Sequence, residues 1–157
     1  MNVQIRLAND ADLKALCTIR NNEQLFTNYL QLQQDGQAYL AVAQVEHELV
    51  GFGVLKLNGP LIPKLSDLYV KPGFRHRGMG QALIAYREQL AVARDYDEVF
   101  VSVDPIENPK MVQLVTNLGY NAVCEPYEKS AIYYYEDGTT YDKTYVRVDF
   151  IRQWHDF

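Results

Sequence analysis

The feature that most restricts the fold is a predicted strand, Lys64–Val70, followed by a short turn with two glycines and a long predicted helix, Gly78–Arg94. The first N–H groups of a helix have no partner within the helix, and the helix dipole favours negative charge at that end. Gly78 and Gly80 let an anion approach the backbone without a Cβ in the way, and two arginines of the turn add positive charge. This order of elements predicts a loop that binds phosphate groups, and an ordinary tight turn with solvated arginines is the alternative.

Three stretches of the sequence, in order, resemble motifs of the GCN5-related N-acetyltransferases, the GNAT family. They are the loop Arg75-x-x-Gly78-x-Gly80, the strand Leu65–Pro72, and Asn108 followed by Leu114 and Leu118-Gly119-Tyr120. In that family the loop binds the pyrophosphate of acetyl-CoA, the strand is the fourth of the sheet, and the third stretch is a second CoA motif. The resemblance covers nearly the whole chain and implies a single N-acetyltransferase domain over residues 1–157.

Apolar periodicity and turn residues predict the order β-α-α-β-β-β-α-β-α-β-β. The predicted strands are Met1–Arg6, Ala38–Val45, Glu48–Leu57, Lys64–Val70, Glu98–Asp104, Ala131–Glu136 and Tyr141–Phe150. The predicted helices are one that follows a cap at Asn9 or Asp10, one over about 22–34, Gly78–Arg94 and Pro109–Leu118. The alternation predicts an α/β fold of the α+β type, a central twisted mixed sheet flanked by helices, and the resemblance implies that it is GNAT-like.

Composition narrows the range of partners. A chain of 157 residues fits one domain, and a formal net charge of −5 argues against nucleic acid as the main partner. No apolar run reaches the roughly 20 residues of a membrane span and no signal peptide is recognised, so a cytoplasmic protein without membrane contact is expected. Cys17 and Cys124 are predicted to be core thiols, and the histidines, His47, His76 and His155, form no cluster, so no metal is expected.

The resemblance also implies how acetyl-CoA, the cosubstrate, is held. The loop residues assigned to its pyrophosphate are Arg75, His76, Arg77, Gly78, Met79, Gly80 and Gln81. Backbone groups of Leu68, Tyr69 and Val70 would orient the thioester carbonyl. Asn108 would hydrogen-bond the pantetheine arm. An asparagine before a proline is also a favoured helix cap, so Asn108 is alternatively the cap of the helix that begins at Pro109. Both roles can hold together.

The catalytic acid and base are where the sequence departs from the family. Val115 stands where many members of the family have a tyrosine that protonates the departing thiolate. Val103 stands where some members have a glutamate that acts as the base. Asp67, on the fourth strand, is the candidate base, directly or through water, and its alternative is a structural carboxylate. Tyr120 is predicted to lie in the core.

The hairpin tyrosines are a further possible source of a proton for the departing thiolate. The final predicted hairpin carries Tyr133, Tyr134, Tyr135, Tyr141 and Tyr145. One of them could donate the proton, and cross-strand aromatic packing explains the cluster equally well. A dedicated acid is not essential, because a thiol with a pKa of about 8.5 leaves readily as the thiolate.

These observations predict an N-acetyltransferase that moves an acetyl group from acetyl-CoA to a primary amine of a small molecule or peptide, by direct attack in a ternary complex. The alternative is a catalytically weak CoA-binding sensor or scaffold, which Val103 and Val115 favour. The acidic residues that could line a cation-accepting cleft, or simply form a solvated surface, are Glu23, Asp35, Glu125, Glu128, Glu136 and Asp137. The identity of the amine and the oligomeric state, with a homodimer as one option, stay open.

Overall fold

The computed structural model describes residues 2–135 and 137–154. The chain divides into two compact units, residues 1–99 and 100–157, which are taken in turn. Predictions for Met1, Glu136 and His155 lie outside the described residues.

The first unit contains four antiparallel strands in the order β1-β2-β3-β4. The strands are β1 (Val3–Leu7), β2 (Ala38–Val45), β3 (Glu48–Lys56) and β4 (Lys64–Val70), and the helices are α1 (Leu13–Ile19), α2 (Glu23–Gln34) and α3 (Met79–Ala93). Single 3-10 turns, Asp10–Asp12 and Pro72–Phe74, precede α1 and the phosphate-loop candidate. These elements follow the predicted order closely.

Strands β2 and β3 are buried along almost their whole length because both faces of the sheet are covered. Helices α1 and α2 cover one face, where Phe26 and Phe52 meet edge to face with ring centroids 5.0 Å apart. The first turns of α3 cover the other face, where Met79 and Leu83 pack against small residues of β2 and β3. Apolar burial on both faces therefore fixes β3 between the helices, and β3 in turn positions β4.

The second unit contains β5 (Glu98–Val103, which begins at the boundary), α4 (Pro109–Asn117), β6 (Asn121–Ala122), β7 (Tyr127–Tyr134) and β8 (Thr140–Gln153). Strand β8 lies next to β5 and pairs antiparallel with β6 and β7. The predicted final hairpin is present: β7 begins four residues earlier than predicted and ends at Tyr134, and β8 extends past both of its predicted ends. The pairing of β6 was not predicted, because two residues are too short to show a period.

One core prediction is wrong. Cys124 is exposed, in the connection between β6 and β7, because the apolar alternation around it breaks there into an irregular segment. Cys17 is half-buried on α1. None of the helices in the described parts of the chain is long and apolar enough to cross a membrane, and a cytoplasmic location stays a prediction.

Candidate active site

A bulge in β4 sets the geometry of the site. The register pairs Gly53 with Leu68 and Val54 with Ser66, so Asp67 has no residue opposite it on β3. Asp67 adopts φ of +44°, in the left-handed region, as an extra residue in a bulged strand can. The bulge turns the Asp67 side chain to an exposed position in the middle of the strand.

A buried arginine of α3 holds this bulge from within. Arg87 is 1% exposed, and its Nη1 donates to the carbonyl oxygens of Val54 (2.9 Å) and Ser66 (3.1 Å), on either side of the break in register. Its Nε donates to the carbonyl of Leu83, one turn earlier on the same helix, at 3.0 Å. Because a buried guanidinium must be hydrogen-bonded, these contacts fasten α3 to β3 and β4 at the bulge. Sequence reasoning missed Arg87, although an arginine in the apolar stripe of a helix is a usable signal.

A tyrosine of α2 contacts the carboxylate at the bulge. The hydroxyl of Tyr29, which is half-buried, donates a hydrogen bond to Oδ2 of Asp67. The pKa of Tyr29 is raised well above its ordinary value, first by burial and then by the hydrogen bond to Asp67. Oδ1 of Asp67 makes no hydrogen bond to any residue that the structure describes. Tyr29 was not predicted, because a contact between residues 38 positions apart leaves no local pattern.

The phosphate-loop candidate follows β4 as predicted. Gly78 has φ of +83° and caps α3, and the first helical hydrogen bond runs from Ala82 N to Gly78 O at 3.0 Å. The N–H groups of the residues between them, Met79, Gly80 and Gln81, therefore have no partner within the helix. No side chain caps this end of the helix in the described part of the chain. A Cβ at Gly78 would have no heavy atom within 4 Å, so the space in front of this helix end is open.

The other loop residues divide into anchors and exposed groups. Met79 is 2% exposed and fixes the start of α3 in the core. Arg75 folds back on β4, because its Nε donates to the carbonyl of Val70 at 2.7 Å and its guanidinium lies 5.2 Å from the ring centroid of Tyr69. His76 and Arg77 are exposed. The structure thus brings together Tyr69, Val70 and Arg75 at the entrance to the loop.

In the second unit Asn108 caps α4, as the structural alternative predicted. Its Oδ1 accepts a hydrogen bond from Met111 N at 3.3 Å, and Pro109 is the first helical residue. Val103 and Val115 are buried, and Tyr120 lies in the core as predicted. Since Val115 is enclosed, that position lacks both a proton donor and room for one.

The remaining candidates are dispersed or packed. Glu23 is the first residue of α2, and Asp35 follows the last. The helix separates them by about 18 Å, so they do not share one cleft. Of the hairpin tyrosines, Tyr133 stacks on Tyr141, and Tyr135 also contacts Tyr141, in line with the packing alternative. The side chain of Tyr134 lies outside the described residues.

Solved structures of acetyltransferases share this fold. The ribosomal-protein-alanine N-acetyltransferase of Brucella melitensis superposes with a TM-score of 0.76 at 19% identity, over 96% of this chain and 99% of that one. The PaiA N-acetyltransferase of Thermoplasma acidophilum in complex with coenzyme A gives 0.73 at 15%, over 98% and 100%. A GNAT family acetyltransferase of Elizabethkingia anophelis with acetyl-CoA bound gives 0.68 at 15%, over 98% and 99%. These likenesses confirm the predicted fold.

The family is identified from the sequence. No curated protein matches the chain. The profile of the acetyltransferase (GNAT) family, however, matches residues 9–120, which include the bulge of β4, the loop before α3 and the cap of α4. The chain therefore belongs to the GNAT family of acetyltransferases.

Proposed function

We propose that the chain is an N-acetyltransferase, a single domain over residues 1–157, that moves the acetyl group of acetyl-CoA to a primary amine of a small molecule or peptide. The proposal rests on the N-terminus of α3, where Gly78 is the cap residue in the left-handed conformation, no described side chain caps the helix, and the space in front of it is open. Two solved structures with the same fold contain acetyl-CoA or coenzyme A. A neighbour named for acetylating a ribosomal protein supports a peptide or protein acceptor.

The loop before α3 fits a pyrophosphate. The N–H groups of Met79, Gly80 and Gln81 point out of the helix end, where the helix dipole adds to their attraction for an anion. His76 and Arg77, exposed beside them, supply further donors and charge. When bound, acetyl-CoA supplies the acetyl group as a thioester, whose carbonyl the backbone groups of Leu68–Val70 would orient. Asn108 would hold the pantetheine arm with the part of its side chain that the cap leaves free.

Asp67 is the proposed base. The free Oδ1 accepts a proton from the acceptor ammonium, directly or through water, and the neutral amine then attacks the acetyl carbon. As the new C–N bond replaces the C–S bond, the nitrogen loses a second proton, which goes to the departing thiolate directly or through water, and the proton on Asp67 returns to solvent. The thiolate needs no strong acid, because its pKa of about 8.5 lies near neutrality.

Tyr29 is unsuited to the role of that acid. A phenol whose pKa is raised above its ordinary value keeps its proton in the presence of a thiolate. It therefore serves as a hydrogen-bond donor that fixes the Asp67 carboxylate with Oδ2 occupied and Oδ1 directed to the acceptor. In this proposal Tyr29 is a positioning residue.

The second candidate is a CoA-binding protein without significant transfer, and buried Val103 and Val115 favour it. Release of free thiol from acetyl-CoA, measured against a panel of amines and peptides with mass detection of the acetylated product, separates the two. The enzyme proposal predicts acceptor-dependent thiol release that Asp67→Asn reduces. Binding of CoA without release for any acceptor would support the second candidate.

A further inference from the structure

The β7–β8 hairpin has two chemically different faces. Its register places Tyr127, Lys129, Ala131 and Tyr133 opposite Arg147, Tyr145, Lys143 and Tyr141. Directly opposed residues of an antiparallel pair point to the same side, so these positions share one face, called here the cationic face. The other face carries Glu128, Ser130 and Ile132 opposite Val146, Thr144 and Asp142. The cations and four of the tyrosine positions of the hairpin thus share one side, whereas position 134 falls on the other.

Within the part of the chain that the structure describes, the cations of this face have no acidic partner. Lys129, Lys143 and Arg147 make no ion pair with any residue that the structure describes, whereas the chain as a whole carries a formal charge of −5. Asp149, the next position on that side of β8, is already engaged, because its Oδ1 accepts hydrogen bonds from Ser102 (2.5 Å) and Tyr127 (2.8 Å). The pKa of Tyr145 is lowered first by its hydrogen bond with Tyr133 and then by the neighbouring cations Arg147 and Lys129.

Several aromatic rings of this face are already in contact with another ring or a guanidinium. Tyr133 and Tyr141 stack with centroids 5.5 Å apart, Tyr135 lies 4.6 Å from Tyr141, and the Arg147 guanidinium covers the Tyr145 ring at 4.5 Å. Single-stranded nucleic acids depend on free ring faces for stacking. The contacts among these rings leave fewer ring faces for such stacking.

The hairpin also offers a free backbone edge. Within the described residues β7 pairs only with β8, so the N–H and C=O groups along its other edge have no strand partner. An extended peptide can add to such an edge as a further strand, with its side chains alternating between the two faces. We propose that the cationic face and the open edge of β7 bind an extended acidic peptide segment of a partner protein. Backbone pairing provides the register, and the unpaired cations select acidic side chains.

Anisotropy of a fluorescent peptide of alternating Glu and Thr, titrated with the full chain, tests this binding. The matched probes are a peptide of alternating Gln and Thr and a labelled oligo(dT). The double variant Lys129→Gln/Lys143→Gln is expected to weaken binding of the Glu peptide by about fivefold or more at low salt. The control Lys14→Gln/Lys110→Gln, with the same change in net charge at exposed positions elsewhere, should stay within about twofold.

Thermal melting checks that both double variants fold like the parent chain. Preference for the Glu peptide over the Gln peptide, lost only in the hairpin variant, supports the proposal. Equal weakening in both variants would mean general attraction by charge and would overturn it. So would tighter binding of oligo(dT), or no binding of the Glu peptide, in which case the lysines serve only to keep an edge strand from aggregating. None of these outcomes depends on acetyl transfer.

Discussion

The guanidinium of Arg87 fills the space that a side chain at position 53 would need. A Cβ added to Gly53 would lie 2.7 Å from Cζ of Arg87, a distance that real Cβ contacts essentially never show. Gly53 lies opposite Leu68, the residue after the bulge. The absence of a side chain at one position of β3 is therefore what allows an arginine of α3 to reach the bulge in β4.

Gly53→Ala is expected to destabilise the protein by about 1–3 kcal/mol, the usual cost of overpacking, because Arg87 is enclosed and cannot swing aside. Gly73→Ala is the matched control, since a Cβ there would meet nothing within 4 Å. The free energy of unfolding from denaturant titration measures both. Equal stability of the two variants would contradict the close fit between Gly53 and Arg87.

Arg87→Met tests the hydrogen bonds rather than the space. Methionine fills much of the same volume but leaves the carbonyls of Val54 and Ser66 without their donor. The free energy of unfolding should fall by about 2–4 kcal/mol, because each buried polar group that loses its partner costs about 1–3 kcal/mol. A variant as stable as the parent chain would show that the carbonyls find other partners.

The Arg6–Asp12 pair predicts acid sensitivity. Arg6 donates to both carboxylate oxygens of Asp12 at 2.8 and 2.9 Å, and this hydrogen bonding is the main cause that lowers the pKa of Asp12 below its ordinary 3.8. A depressed carboxylate pKa gives stability that is full above the ordinary value and is lost as pH falls through the lowered one. Melting temperatures should therefore fall more steeply below about pH 4 in the parent chain than in Asp12→Asn. Arg6→Gln should flatten the curve in the same way, and an unchanged slope in both variants would refute the assignment.

Asp67→Asn should reduce turnover by about 10²–10⁴-fold with CoA binding kept, if Asp67 is the base. Asparagine tolerates the left-handed conformation, so the bulge should survive the change. A loss of stability with turnover and pH–rate profile unchanged would instead identify a structural carboxylate.

Tyr29→Phe should reduce turnover by about three- to tenfold, the value of one hydrogen bond. The loss should appear in kcat with CoA binding kept, because the hydrogen bond is made to the Asp67 carboxylate and not to the loop before α3. Tyr39→Phe is the control, because it also removes one hydrogen bond in another part of the first unit. There Nη1 of Arg94 donates to the Tyr39 hydroxyl at 2.7 Å. The same effect in both variants would mean that Tyr29 acts only through stability.

The sequence predicts the elements better than the site. Apolar alternation and helix caps predicted the bounds of β2, β4 and α4 closely, because these signals are local in the sequence. The bulge at Asp67 was not foreseen, since the break in register depends on Arg87 reaching Val54 from 33 positions away. The position of the loop between β4 and α3 was predicted correctly, because glycine positions indicate backbone conformation.

Binding of CoA at the loop before α3 is the most direct test of the account, and calorimetric titration measures it. Gly78→Val and Gly80→Val should abolish detectable binding, because each side chain would stand where the pyrophosphate approaches the backbone, while the fold is kept. Gly59→Val is the control, since Gly59 has φ of +99° with open space around it and so brings comparable backbone strain outside the loop. Unchanged affinity for CoA in both loop variants, or an equal loss in Gly59→Val, would contradict the account.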